Sequence, residues 1–197
     1  MSMMVAMYPT PAERLAALIA AESAHEPIDT LAFWGHRPNR DGSVGAGCLS
    51  QWWPSPFTVD GDRYPTAEHW MMAGKARLFG DEAALAAIMA APSPGAAKAL
   101  GRQVRGFDEA RWAEARYDIV VRGNLAKFSQ HDDLRDFLLR TGRRVLVEAS
   151  PYDRIWGVGL GRDHPNVGTP SRWRGRNLLG FALMEVRERL TRGEELR

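Results

Sequence analysis

Cysteine and lysine are what this chain has least of. A single cysteine, Cys48, stands in 197 residues, which excludes an internal disulfide and a cysteine-rich zinc site. Three of the 26 basic residues are lysines, Lys75, Lys98 and Lys127, and the rest are arginines. No stretch approaches the roughly 20 apolar residues that span a bilayer. Met1–Tyr8 lacks the charged start and long apolar centre of a secretory signal. A soluble cytoplasmic protein is therefore expected. Common catalytic signatures are missing too: no Gly-x-Gly-x-x-Gly loop, no Walker lysine loop, no His-Glu-x-x-His pair and no Gly-x-Ser-x-Gly elbow. The five histidines, His25, His36, His69, His131 and His164, never share metal-ligand spacing on one helix. No metal and no cofactor are expected.

What is present is the balance of a globular chain. Hydrophobic residues make up 45% and charged residues 25%, which excludes disorder throughout. At this size folding buries roughly 70% of the unfolded surface. The net charge of +2 is too small for wholesale coating of nucleic acid. Genomic preference for arginine codons accounts for the lysine shortage. A lysine kept in such a chain is still a candidate for what arginine cannot do, because an amine can lose its proton and become a nucleophile.

Thr10-Pro11-Ala12-Glu13 opens a helix that runs to about Ser23: threonine caps, proline takes the first position and glutamate the third. Leu31–Trp34 reads as a strand, Gly42–Gly47 as a loop, and Asp60-Gly61 as the turn of a hairpin. Helical patterns follow at Thr66–Phe79, Asp81–Ala90, from Ser93-Pro94, from the Asp108 cap, and at Asp132–Arg140. Val145–Val147 reads as a buried strand and Ile155–Val158 as another. Gly161–Arg176 is a long loop, and a helix from Asn177 to about Thr191 comes last. There is no repeat and no linker, and the elements do not alternate as a doubly wound sheet requires. The fold class is α+β: a single, mainly helical domain with a small β-sheet.

Three segments carry candidate chemistry. In Pro65–Ala76, positions 68, 71, 72 and 75 share a helix face that is mostly methionine yet holds one acid, Glu68, and one amine, Lys75. The two lie about 10 Å apart along the axis at 1.5 Å per residue. The plainer reading is an acid complementing the helix N-terminus and a lysine snorkelling from a rim. In Leu146–Gly159, a strand ending in Glu148 leads through Asp153 to Trp156-Gly157, a flat ring for a base beside a glycine that permits close approach. A core tryptophan next to a capping aspartate is the alternative. In Gly161–Arg176, Arg162, Arg172, Arg174 and Arg176 suit a phosphate, though such loops are often merely solvated. Lys127 ends a helix, where a cation is favourable through the dipole alone. Trp52, Trp53 and Phe57 are either core or a second stacking surface.

Taken in order, these segments resemble the NADAR family of YbiA-like proteins. The stretches that carry the resemblance are Ser50–Phe57, Tyr64–His69, Gly74–Ala76, Asn124–Phe128, Thr141-Gly142, Leu146–Ser150, Asp153–Gly159 and Gly175–Gly180. The resemblance spans residues 31–192 and leaves 1–30 as an N-terminal helical extension and 193–197 as a tail. It implies an N-glycosidase that cleaves the bond between a ribosyl group and a base. Two substrate classes follow: ribosylaminopyrimidine phosphates on the way to riboflavin, and ADP-ribosylated guanine, free or within nucleic acid. Ser50-Gln51-Trp52 departs from the frequent Ser-Asn-Phe, and Met72 from a frequent glutamine, so substrate choice is where this chain can differ. On this basis Glu68 is the expected principal carboxylate, Lys75 the nucleophile or electrostatic partner, and Asp153 a second acid. Trp156 is the base-stacking wall, and Trp53, Phe57, Glu148, Gly157, Arg176 and Asn177 complete the substrate-binding set. No membrane contact and no obligate protein partner are expected. The rival function is a module that binds ADP-ribose or a related nucleotide without turnover.

Overall fold

The computed structural model describes residues 8–196. Its contacts form two compact units. One comprises the described residues of Met1–Ala32 with Arg143–Glu185, and the other Phe33–Gly142 with the described residues of Val186–Arg197.

In the larger unit, α2 (Ala67–Phe79) is the central helix. Thr66 caps it, and Gly80 ends it in the left-handed region at φ 68°, which glycine adopts without strain. The apolar faces of α3 (Glu82–Met89), α4 (Pro94–Gly101) and α5 (Glu109–Ser129) pack around it. Small residues permit this closeness. A side chain at Gly123 of α5 would run into Trp70, and one at Gly101 of α4 into Met72. Asp81, Ser93 and Asp108 cap the three helices through their side-chain oxygens, as their sequence positions predict. The hairpin β2 (Phe57–Val59) and β3 (Asp62–Tyr64) pairs antiparallel with Phe57 opposite Tyr64. Its turn residues Asp60 and Gly61 sit at φ 53° and 87°, the pair of positive angles a two-residue hairpin turn needs. A short 3-10 turn at Ala46–Leu49 leads into the segment before the hairpin, and the helix α6 (Asp132–Arg140) follows α5.

The strand β1 (Thr30–Phe33), whose first three residues belong to the smaller unit, pairs with β4 (Val145–Glu148). The apolar cluster of Val145, Val147, Val158 and Leu160 is covered by Leu18 of α1 (Pro11–Ser23), Ile28, Val167, Trp173 and Met184. The N-terminal helix thus has its own place in this core. Its capping box is formed as expected: Thr10 Oγ1 accepts the Glu13 N–H, and the Glu13 carboxylate accepts the Thr10 N–H at 2.7 Å. The Ser171 N–H and hydroxyl both donate to Glu22, tying the end of α1 to a short 3-10 turn at Pro170–Arg172. Leu178–Thr191 forms α7, whose first half belongs to this unit.

The mainly helical class with little sheet is what the sequence predicts; the sheet is divided into two separate pairs of strands. Ile155–Val158 is not a strand. Its backbone bends, because the N–H groups of Ile155 and Trp156 turn inward to the Asp153 carboxylate. Among the described residues no helix is long and apolar enough to cross a membrane.

Candidate active site

The start of α2 is assembled from side chains that leave little freedom. The buried His69 Nε2 lies 3.1 Å from the Ala91 carbonyl, which can only accept, so Nε2 carries the proton. Its Nδ1 then accepts from the Thr66 hydroxyl at 2.8 Å, while Thr66 Oγ1 accepts the His69 backbone N–H. Burial holds the imidazole pKa below its ordinary value, which keeps the ring neutral in this role. Between the two sits Glu68, only 2% exposed, in the first helical turn where the macrodipole favours a carboxylate. The Glu68 backbone N–H donates to the Gln51 carbonyl at 3.0 Å. That carbonyl belongs to a loop held by α5. The side chains of Gln51 and Asn124 pair through their amides, and Lys127 Nζ donates to the Cys48 and Ser50 carbonyls at 2.6 and 3.0 Å.

Two turns along α2, Lys75 is half-buried and rests on rings: its Nζ is 4.0 Å from the Phe107 centroid and 5.8 Å from that of Trp112. Ring faces attract a cation but accept no proton. Burial lowers the amine's pKa, and Glu109 opposes this only in part. The methionines between the acid and the amine are core residues. Both are buried, and Met72 packs over Gly101 of α4. Trp53 is half-buried, its backbone N–H donating to the Ser50 carbonyl. Trp52 lies tilted against His36 with centroids 5.7 Å apart. Phe57 corrects the stacking expectation: it is 1% exposed and packs against Tyr64 and Trp70 at 5.8 and 6.4 Å, so its ring is part of the core.

In the smaller unit the candidates lie on irregular backbone held by other backbone groups and by the Asp153 and Asn177 side chains. Asp153 Oδ1 accepts the N–H groups of Ile155 and Trp156 at 2.8 and 2.7 Å, so this acid shapes the turn that carries Trp156. Trp156 is half-buried. Gly157 is buried, and a Cβ there would lie 2.9 Å from the Glu148 carbonyl and 3.0 Å from that of Asp153; its smallness lets backbone approach backbone. The Glu148 N–H donates to Asn177 Oδ1, and the Asn177 amide donates to the Leu146 carbonyl at 2.9 Å. Fully buried at φ 52°, Asn177 thus completes β4 much as a strand partner would. Arg154, Arg172, Arg174 and Arg176 are exposed, and the side chains of Arg154 and Arg174 lie together over Gly159.

Lys127 departs from its expected role. It is 0% exposed and serves carbonyls of a distant loop, not the end of its own helix. The available signal was the spacing of Asn124 and Lys127, three residues apart and therefore on one helix face.

A mainly helical α+β architecture with a buried carboxylate and a ring-borne amine on one helix defines a class that can be compared with known proteins. The NADAR domain matches residues 32–191, and the chain belongs to the NADAR family. It is 42% identical to N-glycosidase R617 of Acanthamoeba polyphaga mimivirus over 158 residues, 78% of this chain and 92% of that protein. It is 35% identical to N-glycosidase YbiA of Escherichia coli over 135 residues, 68% of this chain and 76% of that protein. The solved structure of E. coli YbiA matches with a TM-score of 0.68 at 31% identity, covering 85% of this chain and 89% of that one.

Proposed function

We propose that this chain is an N-glycosidase, hydrolysing the C–N bond between a ribosyl group and a nitrogenous base. The observation that carries the reading is the pair on α2, a buried carboxylate and an amine whose proton is loosened by burial. Relatives named N-glycosidases, aligned over most of this chain, support it. Cleavage leaves positive charge at the anomeric carbon and sends the bonding pair to the base. Glu68 stabilises that charge, as a carboxylate does beside an oxocarbenium-like centre. Neutral Lys75 attacks the same carbon: the Nζ–C1′ bond forms, the base departs with the electron pair and takes up a proton, and the amine sheds its own. Opening of the sugar ring leaves an imine that water hydrolyses. In the smaller unit, taken by itself, the Trp156 ring has the flat face that suits a base and the exposed arginines of the 154–176 region suit a phosphate.

The substrate is a ribosylaminopyrimidine phosphate or ADP-ribosylated guanine. Incubation with each, followed by detection of free sugar phosphate or free ADP-ribose, tests both at once. Turnover of either one supports the reading and selects the substrate. Binding of ADP-ribose without turnover of either would make the chain a nucleotide-binding module instead.

A further inference from the structure

Lys127 is the most completely enclosed charge in the larger unit, and glycosidic chemistry makes no direct use of it. Its ammonium is 0% exposed and shares its donors between two carbonyls of one short loop, those of Cys48 and Ser50. The next carbonyl along, that of Gln51, accepts the Glu68 backbone N–H. The Gln51 side chain is tied to Asn124, one turn from Lys127 on α5. The contacts of this one segment therefore run from α5 to the residue that carries the carboxylate.

We propose that Lys127 is a positioning residue for Glu68, fixing through the 48–51 loop where the α2 carboxylate stands. This rests on Glu68 being the catalytic carboxylate. Several features suit the amine to the task. Charge-assisted hydrogen bonds are shorter and roughly twice as strong as neutral ones, and the 2.6 Å contact to Cys48 has that character. Burial pulls the Lys127 amine down to about 8, so most of it keeps its proton at neutral pH. The neighbouring Cys48 thiol is pushed up to about 12 by its own burial and stays neutral, offering no thiolate to compete for the ammonium. The chain is otherwise rich in arginine, but a guanidinium is a wide planar fork. A compact ammonium with three rotatable donors suits two carbonyls converging on one point.

The test is a double-mutant cycle read by single-turnover rates, with the folded fraction of each variant measured alongside. Lys127→Met is expected to lower kcat per folded molecule about 10- to 100-fold with KM changed less than about threefold, the cost of displacing a catalytic group. In the Glu68→Gln background the same change should cost less than about threefold, because what it positions is already gone. A loss of equal factor in both backgrounds would show Lys127 to be a general support of the fold and overturn the proposal. Full activity in Glu68→Gln would instead overturn the catalytic reading on which it rests. Should Lys127→Met not fold, Asn124→Ala removes the companion tie to the same loop. Non-additivity with Glu68→Gln is expected there too, and additivity would again overturn the proposal.

Discussion

The two units hold their candidate groups by opposite means. In the larger one, Glu68 and Lys75 are aimed by a rigid helix, and the polar groups around the helix start are side chains with side-chain or loop partners: Thr66, His69, Asn124 and Lys127. In the smaller one, Asp153, Trp156 and Gly157 ride on irregular backbone. That backbone is held largely by backbone-to-backbone bonds, such as Asn177 N–H to Gly157 carbonyl and Arg176 N–H to Arg154 carbonyl, beside the ties of the Asp153 and Asn177 side chains. Glycines let these strands of loop touch: a Cβ on Gly175 would sit 2.2 Å from the Gly157 oxygen. The lesson concerns mutation. Changing Glu68 or Lys75 in the helical unit removes one chemical group, whereas changing a residue in the loop unit moves several at once.

The largest expected effect breaks the helical half. Glu68→Gln keeps shape and removes charge, so turnover should fall by about two to three orders of magnitude, with the melting temperature near that of the parent. Steady-state rates beside thermal melts check this, and near-normal rates would move the catalytic carboxylate to Asp153 or Glu148. Lys75→Arg comes next. If the amine attacks the sugar, arginine should be nearly as damaging as alanine, about 100-fold or more. Borohydride added during turnover should then leave a sugar adduct on the parent protein, visible by mass spectrometry. An active arginine variant without any adduct would restrict Lys75 to electrostatics. Because burial lowers its pKa, the free-amine fraction grows as pH rises, so turnover should climb on the acid side of that pKa and flatten above it.

How much of this was legible in the sequence follows the same division. Helix periodicity and caps identified α2 with Thr66 as its start, because a 3.6-residue period and a capping threonine are local properties. The hairpin at Asp60-Gly61 was legible for the same reason. The strand expected at Ile155–Val158 was not there, since an apolar run gives no sign that a neighbouring aspartate will claim its N–H groups. Nor could the enclosure of Lys127 be read, because its carbonyl partners lie 77 and 79 residues away. Phe57 shows the limit from the other side: an aromatic run looks alike whether it faces a base or packs on Tyr64.

Breaking the loop half should cost stability more than chemistry. Asn177→Ala removes two hydrogen bonds to β4 and places alanine at φ 52°, a loss of about 2–3 kcal/mol in denaturant titration. Asn177→Gly restores the conformation without the bonds and should recover about 1 kcal/mol of it. Equal stability of all three proteins would deny Asn177 its structural part. Trp156→Ala is milder. Base affinity should weaken by about 1–3 kcal/mol while the melting temperature moves little. A large drop in melting temperature with unchanged affinity of the folded fraction would return Trp156 to the core.

The smallest effect sharpens the picture of how α2 is seated. His69 is neutral in the fold, with Nε2–H directed to Ala91 and Nδ1 accepting from Thr66. Its pKa lies below the ordinary 6.5, so just under that pH the unfolded chain binds more protons than the folded one. The contribution of His69 to stability is therefore complete above about pH 6.5 and diminishes as pH falls toward the lowered folded-state value. Protonation would also place a donor where Nδ1 must accept the Thr66 hydroxyl. Denaturant titrations across that window should show the parent losing stability on acidification more steeply than His69→Gln, which has no ring to protonate. Parallel slopes for the two proteins would mean that His69 does not couple the seating of α2 to pH.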